Sequence, residues 1–420
     1  MRLYTTFSTN YQYRKSTMKN LLLSAIFLLT LSSIAQSQTV YFADKKPQKF
    51  NGLGLYNNDS TFSLNLRFRM QARMGYTVDD NFNLVSSDYF LRRLRLRMDG
   101  IMWSKKLTYN IQLSFSRGDM DWDNTGFPNI IRDAYVTYKA HKNVSLVFGQ
   151  TKLPGNRERL ISSSELQFPD RSTANARFNI DRDFGTQIVY EPHIGKHAIL
   201  AIKGALSSGK GRNNPSIAST RSDGFAYTGR MEILPMGEFA MKGDYSEGDW
   251  VREAKPKLSI GATYHLNEKA LRNGGILGTL LQQPRDIEQV FIDAMVKHQG
   301  WALLTEYMNR KTKNDSPITV SSDGKTKTTV YDGFGVNAQL SYQFKNHWEI
   351  AGRYTLAEPT GDTRLSEPQQ KDYSIGITRY LNYHRLKLQL EAVKTDRWDL
   401  IKESALTPNY TFRFQIEAGI

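Results

Sequence analysis

Residues Phe62 to Tyr76 alternate strictly. Every even position is apolar (Phe62, Leu64, Leu66, Phe68, Met70, Ala72, Met74, Tyr76), and the odd ones read Ser63, Asn65, Arg67, Arg69, Gln71, Arg73 and Gly75. At the chain's 40% apolar content, such a run arises by chance with a probability on the order of 10⁻⁵ at any given start. Period two means a strand with two chemically opposite faces. Soluble strands run about 5 to 6 residues, whereas a tilted strand crossing a bilayer needs about 9 to 11. The length therefore predicts a membrane barrel. An arginine turned to lipid at the midplane costs roughly 2 to 4 kcal/mol, so Arg67, Arg69 and Arg73 must face a watery lumen.

The pattern recurs. Leu94, Leu96 and Met98 oppose Arg93, Arg95, Arg97 and Asp99, after a polar loop at 77 to 88. Leu107 to Phe115 alternates with Thr108 to Ser116. Further strands are predicted at 131–140, 144–152, 184–191, 196–206, 224–234, 257–266, 289–298, 301–311, 331–344, 348–357, 371–381, 385–394 and 409–420. The expectation is an all-β, transmembrane antiparallel barrel of about 16 strands, an even number as in bacterial single-chain barrels. Phe239 to Tyr245 also alternates. Counting it as a strand would place the short turns at 298–300, 345–347 and 382–384 on the opposite side from those at 103–106, 141–143 and 191–195. It is read instead as part of a long periplasmic connection, 235–256. The last strand alternates from Tyr410 to Ile420, and Trp301 and Trp348 follow short turns, as an interfacial aromatic girdle would.

Ahead of the barrel, Lys19, the apolar run Leu21 to Leu31 and small residues at Ser33, Ala35 and Ser37 make a signal peptide over residues 1–35, with Met18 read as the true start. The alternative, a transmembrane anchor, needs about 20 apolar residues. Residues 36–60 are expected to be a short periplasmic segment and 61–420 the barrel. The chain has no cysteine, so neither disulfides nor thiolate metal sites are available. Its formal charge is +15, with four basic residues in the signal region (Arg2, Arg14, Lys15, Lys19). A basic soluble protein would suggest nucleic acid; in a barrel the question is which surface carries the charge, and no nucleic-acid partner is expected.

From Leu153 to Asp183 the alternation lapses. About thirty residues without pattern in one connection mark a functional loop. It carries Arg157, Arg159, Arg171, Arg177 and Arg182 against Glu158, Glu165, Asp170, Asp181 and Asp183. One reading folds it inward as a constriction whose cations face the arginine rows; the other leaves it outside, held by its own salt bridges. Arg67, Arg69, Arg73, Arg93, Arg95 and Arg97 lie on neighbouring strands. Guanidinium stays charged and its planar fork fits carboxylate or phosphate oxygens. A column of them in a channel raises the local anion concentration. Alternatively they brace the wall by pairing with Asp99, Glu232, Glu306 or Glu349.

The passage FGQTKLPGNRERLISSSELQFPDRSTANARFNIDRDFGTQIVYE, with FLRRLRLRMDGIMWSKKLTYNIQLSFS at 90–116, YTGRMEILP at 227–235, GWALLTEYMNR at 300–310 and GRYTLAEP at 352–359, resembles the phosphate-selective porin O and P family of Gram-negative outer-membrane porins. The resemblance implies a sixteen-stranded barrel in outer-membrane lipid, a homotrimer, an infolded third outer loop and arginines that conduct small anions, phosphate or polyphosphate among them. A general diffusion pore and a plugged structural barrel are the other readings. An enzyme is not expected: the histidines (His141, His193, His197, His265, His298, His347, His384) form no metal-ligand spacing, and no nucleophile elbow or P-loop is present. A phospholipase-like barrel with Ser and His from distant strands is the enzymatic alternative. No cofactor or metal is expected.

Overall fold

The computed structural model describes residues 53–56, 61–120, 128–195, 197–213 and 224–420. The expected signal peptide, and all of the 36–60 segment except 53–56, lie outside the described residues. The architecture is a closed antiparallel barrel of 16 strands. They are β1 Ser63–Val78, β2 Leu84–Met102, β3 Ser104–Ser114, β4 Ile131–His141, β5 Val144–Lys152, β6 Arg182–Tyr190, β7 Ala198–Ser207 and β8 Ala226–Leu234. The second half comprises β9 Lys257–Arg272, β10 Leu280–His298, β11 Trp301–Lys313, β12 Gly333–Gln343, β13 Trp348–Pro359, β14 Gln369–Asn382, β15 Leu386–Asp399 and β16 Ser404–Gly419. Each strand pairs with its sequence neighbours, and β1 closes the ring on β16 in the register Arg69↔Gly419 to Val78↔Tyr410. Where β16 falls short of the start of β1, Leu53–Tyr56 pairs with it instead, from Leu53↔Leu66 to Tyr56↔Ser63.

The two faces are inverted relative to a soluble sandwich. Along β8, Ala226, Thr228, Arg230, Glu232 and Leu234 are buried while Tyr227, Gly229, Met231 and Ile233 are exposed. Met231, Ile292 and Ile375 are more than half exposed, whereas Arg230, Asp293 and Lys297 are at most 2% exposed. Such a molecule keeps its apolar surface for lipid and its polar groups for the interior. Among the described residues no helix is long and apolar enough to cross a membrane; the strands do the crossing. At one rim Trp301 packs on Tyr342 with ring centroids 4.9 Å apart, and Tyr342 on Phe344 at 4.8 Å.

All sixteen predicted strands are present, and 240–245 is a pair of 3₁₀ turns, not a strand. Several strands are longer than predicted. The loop expected at 77–88 shrinks, because Leu84 to Asp88 pairs with Val78 to Gly75. In the same way β9 reaches Arg272, β10 starts at Leu280 and β16 at Ser404. Beyond the bilayer both faces of a hairpin meet water, so the ladder continues after the apolar alternation has stopped.

Candidate functional site: the arginine-lined lumen

The loop from Leu153 to Asp181 does not behave like a surface loop. Its base is closed by Leu153 N–H donating to the Asp181 carbonyl at 2.9 Å. It contains two short helices, α1 Arg157–Leu160 and α2 Thr173–Phe178, the second capped by Ser172 Oγ accepting from Asn175 N–H at 3.0 Å. Asn156, Arg157, Glu158, Ile161, Phe178 and Ile180 have no exposed surface. Their partners are inward-facing wall residues. Arg157 Nε donates to Asp293 of β10 at 2.6 Å and its Nη2 to Ser259 of β9 at 2.8 Å. Glu158 N–H donates to Glu306 of β11 at 2.8 Å. Lys387 of β15 donates to the carbonyls of Ser164 and Leu166 at 2.8 and 2.7 Å. Two wall glycines admit loop aromatics: a Cβ on Gly335 would stand 2.8 Å from the Phe178 ring, and one on Gly376 would stand 2.7 Å from Phe168.

A second segment enters the lumen, and sequence reasoning placed it elsewhere. The 235–256 connection, expected as a periplasmic excursion, packs against inward-facing side chains. Lys297 Nζ of β10 donates to the carbonyls of Gly243, Ser246 and Gly248 at 2.6, 2.7 and 2.7 Å. Tyr245 donates to Glu232 of β8 at 2.7 Å. The two segments meet: Gln167 N–H donates to Glu247 at 2.7 Å, Glu247 N–H to the Glu165 carbonyl at 3.1 Å, and Arg157 to the Asp244 carbonyl at 3.0 Å. Apolar contacts complete the join. Ile161 and Leu166 of the loop cluster with Phe239 of the connection and with Ile199, Leu234, Met295 and Leu304 of the wall. The signal lay in β10 and β11, where inward positions hold Phe291, Met295, Leu304 and Met308. An apolar side chain facing a lumen implies something packed on it.

Opposite this filled side a cavity of about 930 Å³ remains, lined by twelve arginines and one lysine against five aspartates. Of the sequence-predicted site residues, Arg93, Arg95, Arg97, Arg159 and Arg171 line it. The others are engaged elsewhere. Arg67 pairs with Asp99, and Arg69 donates to Ser163 Oγ at 2.7 Å and lies 3.7 Å from Glu417. Arg73 pairs with Asp170 and with Asp88 at 3.0 Å. Arg157 is locked into the buried cluster with Asp293 and Glu232. Arg177 pairs with Glu367 at 3.2 Å, with Tyr331's ring 4.9 Å away. Asp99 is the wall acid the sequence nominated for the rows; the loops supply Asp170, which pairs with Arg92, and Asp119, which pairs with Arg95 and Arg132.

Lining residues missed by the sequence reading include Arg92, Arg132, Lys152, Arg212, Arg353, Arg397 and Arg413. Arg92 is instructive. The β1–β2 register slips between Gln71↔Arg93 and Ala72↔Leu91, so Arg92 is the extra residue of a bulge. A bulge re-aims a side chain; Arg92 and Arg93, adjacent in sequence, both reach inward. Strict alternation would have put Arg92 in lipid. Arg353 and Arg413 stood at inward positions of alternating strands and were legible as such.

The loop ions in the cavity remain charged at neutral pH. Burial by itself would raise Asp170, but Arg92, Arg73 and Arg93 outweigh it and hold the carboxyl well below its ordinary range. Asp119 and Asp181 are depressed in the same way, against burial, by Arg132 and Arg95 and by Arg159 and Arg182 respectively. Burial lowers Arg171 to about 10, with Arg159 adding to the shift. The cavity is therefore lined by fixed charges with a cationic excess, a surface that concentrates anions without chemistry of its own. Among the described residues no cluster of His, Asp or Glu could hold a metal ion.

A family model described as phosphate-selective porin O and P matches residues 64–406. Among solved structures, the outer membrane channel DcaP of Acinetobacter baumannii is similar at 14% identity and a TM-score of 0.51, over 88% of this chain and 100% of that one. OmpF of Salmonella typhi, solved in complex with daunomycin, is similar at 15% identity and a TM-score of 0.51, over 87% and 100%. At these identities the likeness is one of fold. No curated protein matches the chain.

Proposed function

Because the chain belongs to the phosphate-selective porin O and P family and is an integral outer-membrane channel, we propose that its arginine-lined cavity makes the channel anion-preferring. The observation that carries this reading is the composition of the cavity wall, twelve arginines and one lysine against five aspartates. In a narrow aqueous passage with low-dielectric walls such an excess focuses a positive potential, so anions enter more readily than cations. Family and fold are those of a channel rather than an enzyme. Phosphate as a favoured anion is the narrower form of the proposal. Its several acceptor oxygens match guanidinium forks such as those of Arg93, Arg95, Arg159 and Arg171, whereas chloride offers a single sphere. The homotrimer implied by the family resemblance belongs to the same proposal, and crosslinking in outer membranes tests it.

The deciding experiment is the reversal potential of the refolded protein in a planar bilayer under a salt gradient. Anion preference is expected, reduced or inverted by Arg93→Glu with Arg95→Glu. A wild-type pore that prefers cations would overturn the reading. A general diffusion pore is favoured by one observation, the pairing of these arginines with Asp119 and Asp170; it predicts a reversal potential near zero.

A further inference from the structure

Asp170 stands where the rows of β1 and β2 approach β13 and β16. Its carboxylate accepts from Arg73 and, at 2.8 Å, from Arg92 Nε, with Arg93 Nη2 3.6 Å away. Arg353 donates to the Asp170 backbone carbonyl at 3.0 Å. Wall acids take up only part of this charge: Asp88 lies 3.0 Å from Arg73, and Glu391 lies 3.1 Å from Arg353 and 2.9 Å from Arg413. The Nε donors of Arg73, Arg93, Arg353 and Arg413 are buried without an acceptor. Guanidinium groups thus outnumber the carboxylates that face them, donors are left over, and the central carboxylate comes from a loop rather than from the wall. That is how an oxyanion site is built when the protein fills it with its own side chain.

We propose that Asp170 is a tethered counter-anion: its carboxylate occupies an oxyanion site formed by Arg73, Arg92 and Arg93, and a permeating oxyanion, carboxylate or phosphate, enters by displacing it. This deepens the anion-channel reading and rests on it. A tethered competitor is present at a high effective concentration and lowers the apparent affinity of every free competitor. Conduction needs that weakening, because a site too deep would hold the ion and stop the current. Without the carboxylate, the same arginines would grip a phosphate and release it slowly.

The test is chloride conductance of wild type and Asp170→Asn, titrated at constant ionic strength with inorganic phosphate and, separately, with acetate. Asn keeps the shape and removes the charge. Saturable inhibition by both anions is expected in the variant at concentrations at least about tenfold lower than in wild type. Inhibition by phosphate alone would restrict the site to phosphate and keep the displacement. Inhibition at unchanged or higher concentrations would overturn the proposal, as would a raised chloride conductance without tighter inhibition, which marks Asp170 as a loop anchor. Asp170→Ser is read the same way should the Asn variant not refold. The reversal potential on the same membranes separates the two levels: absence of anion preference in wild type fails the underlying reading, whereas intact preference with unchanged inhibition fails only this one.

Discussion

Arg157 of the infacing loop and Asp293 of the wall stand 2.6 Å apart with neither side chain exposed to solvent. Around them Arg230 reaches Asp293 at 2.7 Å and Glu232 at 2.6 Å, and Lys203 reaches Glu232 at 3.1 Å. The network therefore joins β7, β8 and β10 to the loop through charges that have no water to fall back on. A pair of this kind adds little relative to an apolar substitute, but losing one partner strands the other, at about 3–5 kcal/mol.

The first prediction follows from that asymmetry. Arg157→Met should lower the temperature at which the folded, fast-migrating form converts on SDS gels, by an amount equivalent to about 3–5 kcal/mol. Adding Asp293→Leu to it should recover part of the loss. Additive single effects in that double-mutant cycle would show that the two residues do not act as a pair.

Lys297 holds the 235–256 connection by three carbonyls at once. Lys297→Met keeps the aliphatic stem and removes all three donors, each charge-assisted bond being worth roughly 1.5–3 kcal/mol. The connection should come away from the wall, raising single-channel conductance and exposing the Tyr245 to Asp249 segment to protease. Unchanged conductance together with unchanged cleavage would count against its role as an inserted strap.

A pH effect is expected at Glu247. Burial, then the nearby Glu158, raises its carboxyl to about 7, against the Gln167 N–H, the Gln339 amide and Arg353. One of its oxygens is buried without a partner. A folded pKa above the unfolded value near 4.5 means that the folded state binds the extra proton, so stability is full below about 4.5 and declines as pH rises through about 7. The conversion temperature should be lower at pH 8 than at pH 5, and Glu247→Gln should flatten that difference. A difference of equal size in the variant would locate the titrating group elsewhere.

The wall glycines give a steric test. Gly376→Val or Gly335→Val would push a side chain into Phe168 or Phe178, an overpacking that costs typically about 1–3 kcal/mol. The loop should lift from the wall, with a lower conversion temperature and noisier channel current. Val at Gly352, where a Cβ meets nothing within 4 Å, is the control and should be silent.

Strand existence was legible in the sequence because the faces of a barrel strand meet lipid and water directly, and each residue reports its own side. Residues 62–76 and 410–420 needed no knowledge of the rest of the chain. Destinations of connections are not encoded that way. Nothing local in Gly243 to Gly248 says that its carbonyls will meet Lys297; the hint lay on the receiving wall, in Phe291 and Met295 at positions that ought to be polar. Arg92 was lost for a related reason. A bulge changes the phase of alternation by one residue, and only the paired strand reveals it.

The β1–β16 seam has a kinetic consequence. Gln71 donates to Glu417 across it at 2.7 Å, 346 positions away along the chain, and Ile420 N–H donates to the Phe68 carbonyl at 3.0 Å. Contacts of such sequence separation form late and slowly, because the loop they close is nearly the whole barrel. Until then β1 and β16 each present a bare row of N–H and C=O groups, and any second chain with a free edge is a competing partner. Closure is first order in protein and edge-to-edge pairing is second order. Dilution should therefore raise the yield of refolded barrel while leaving its rate of closure unchanged.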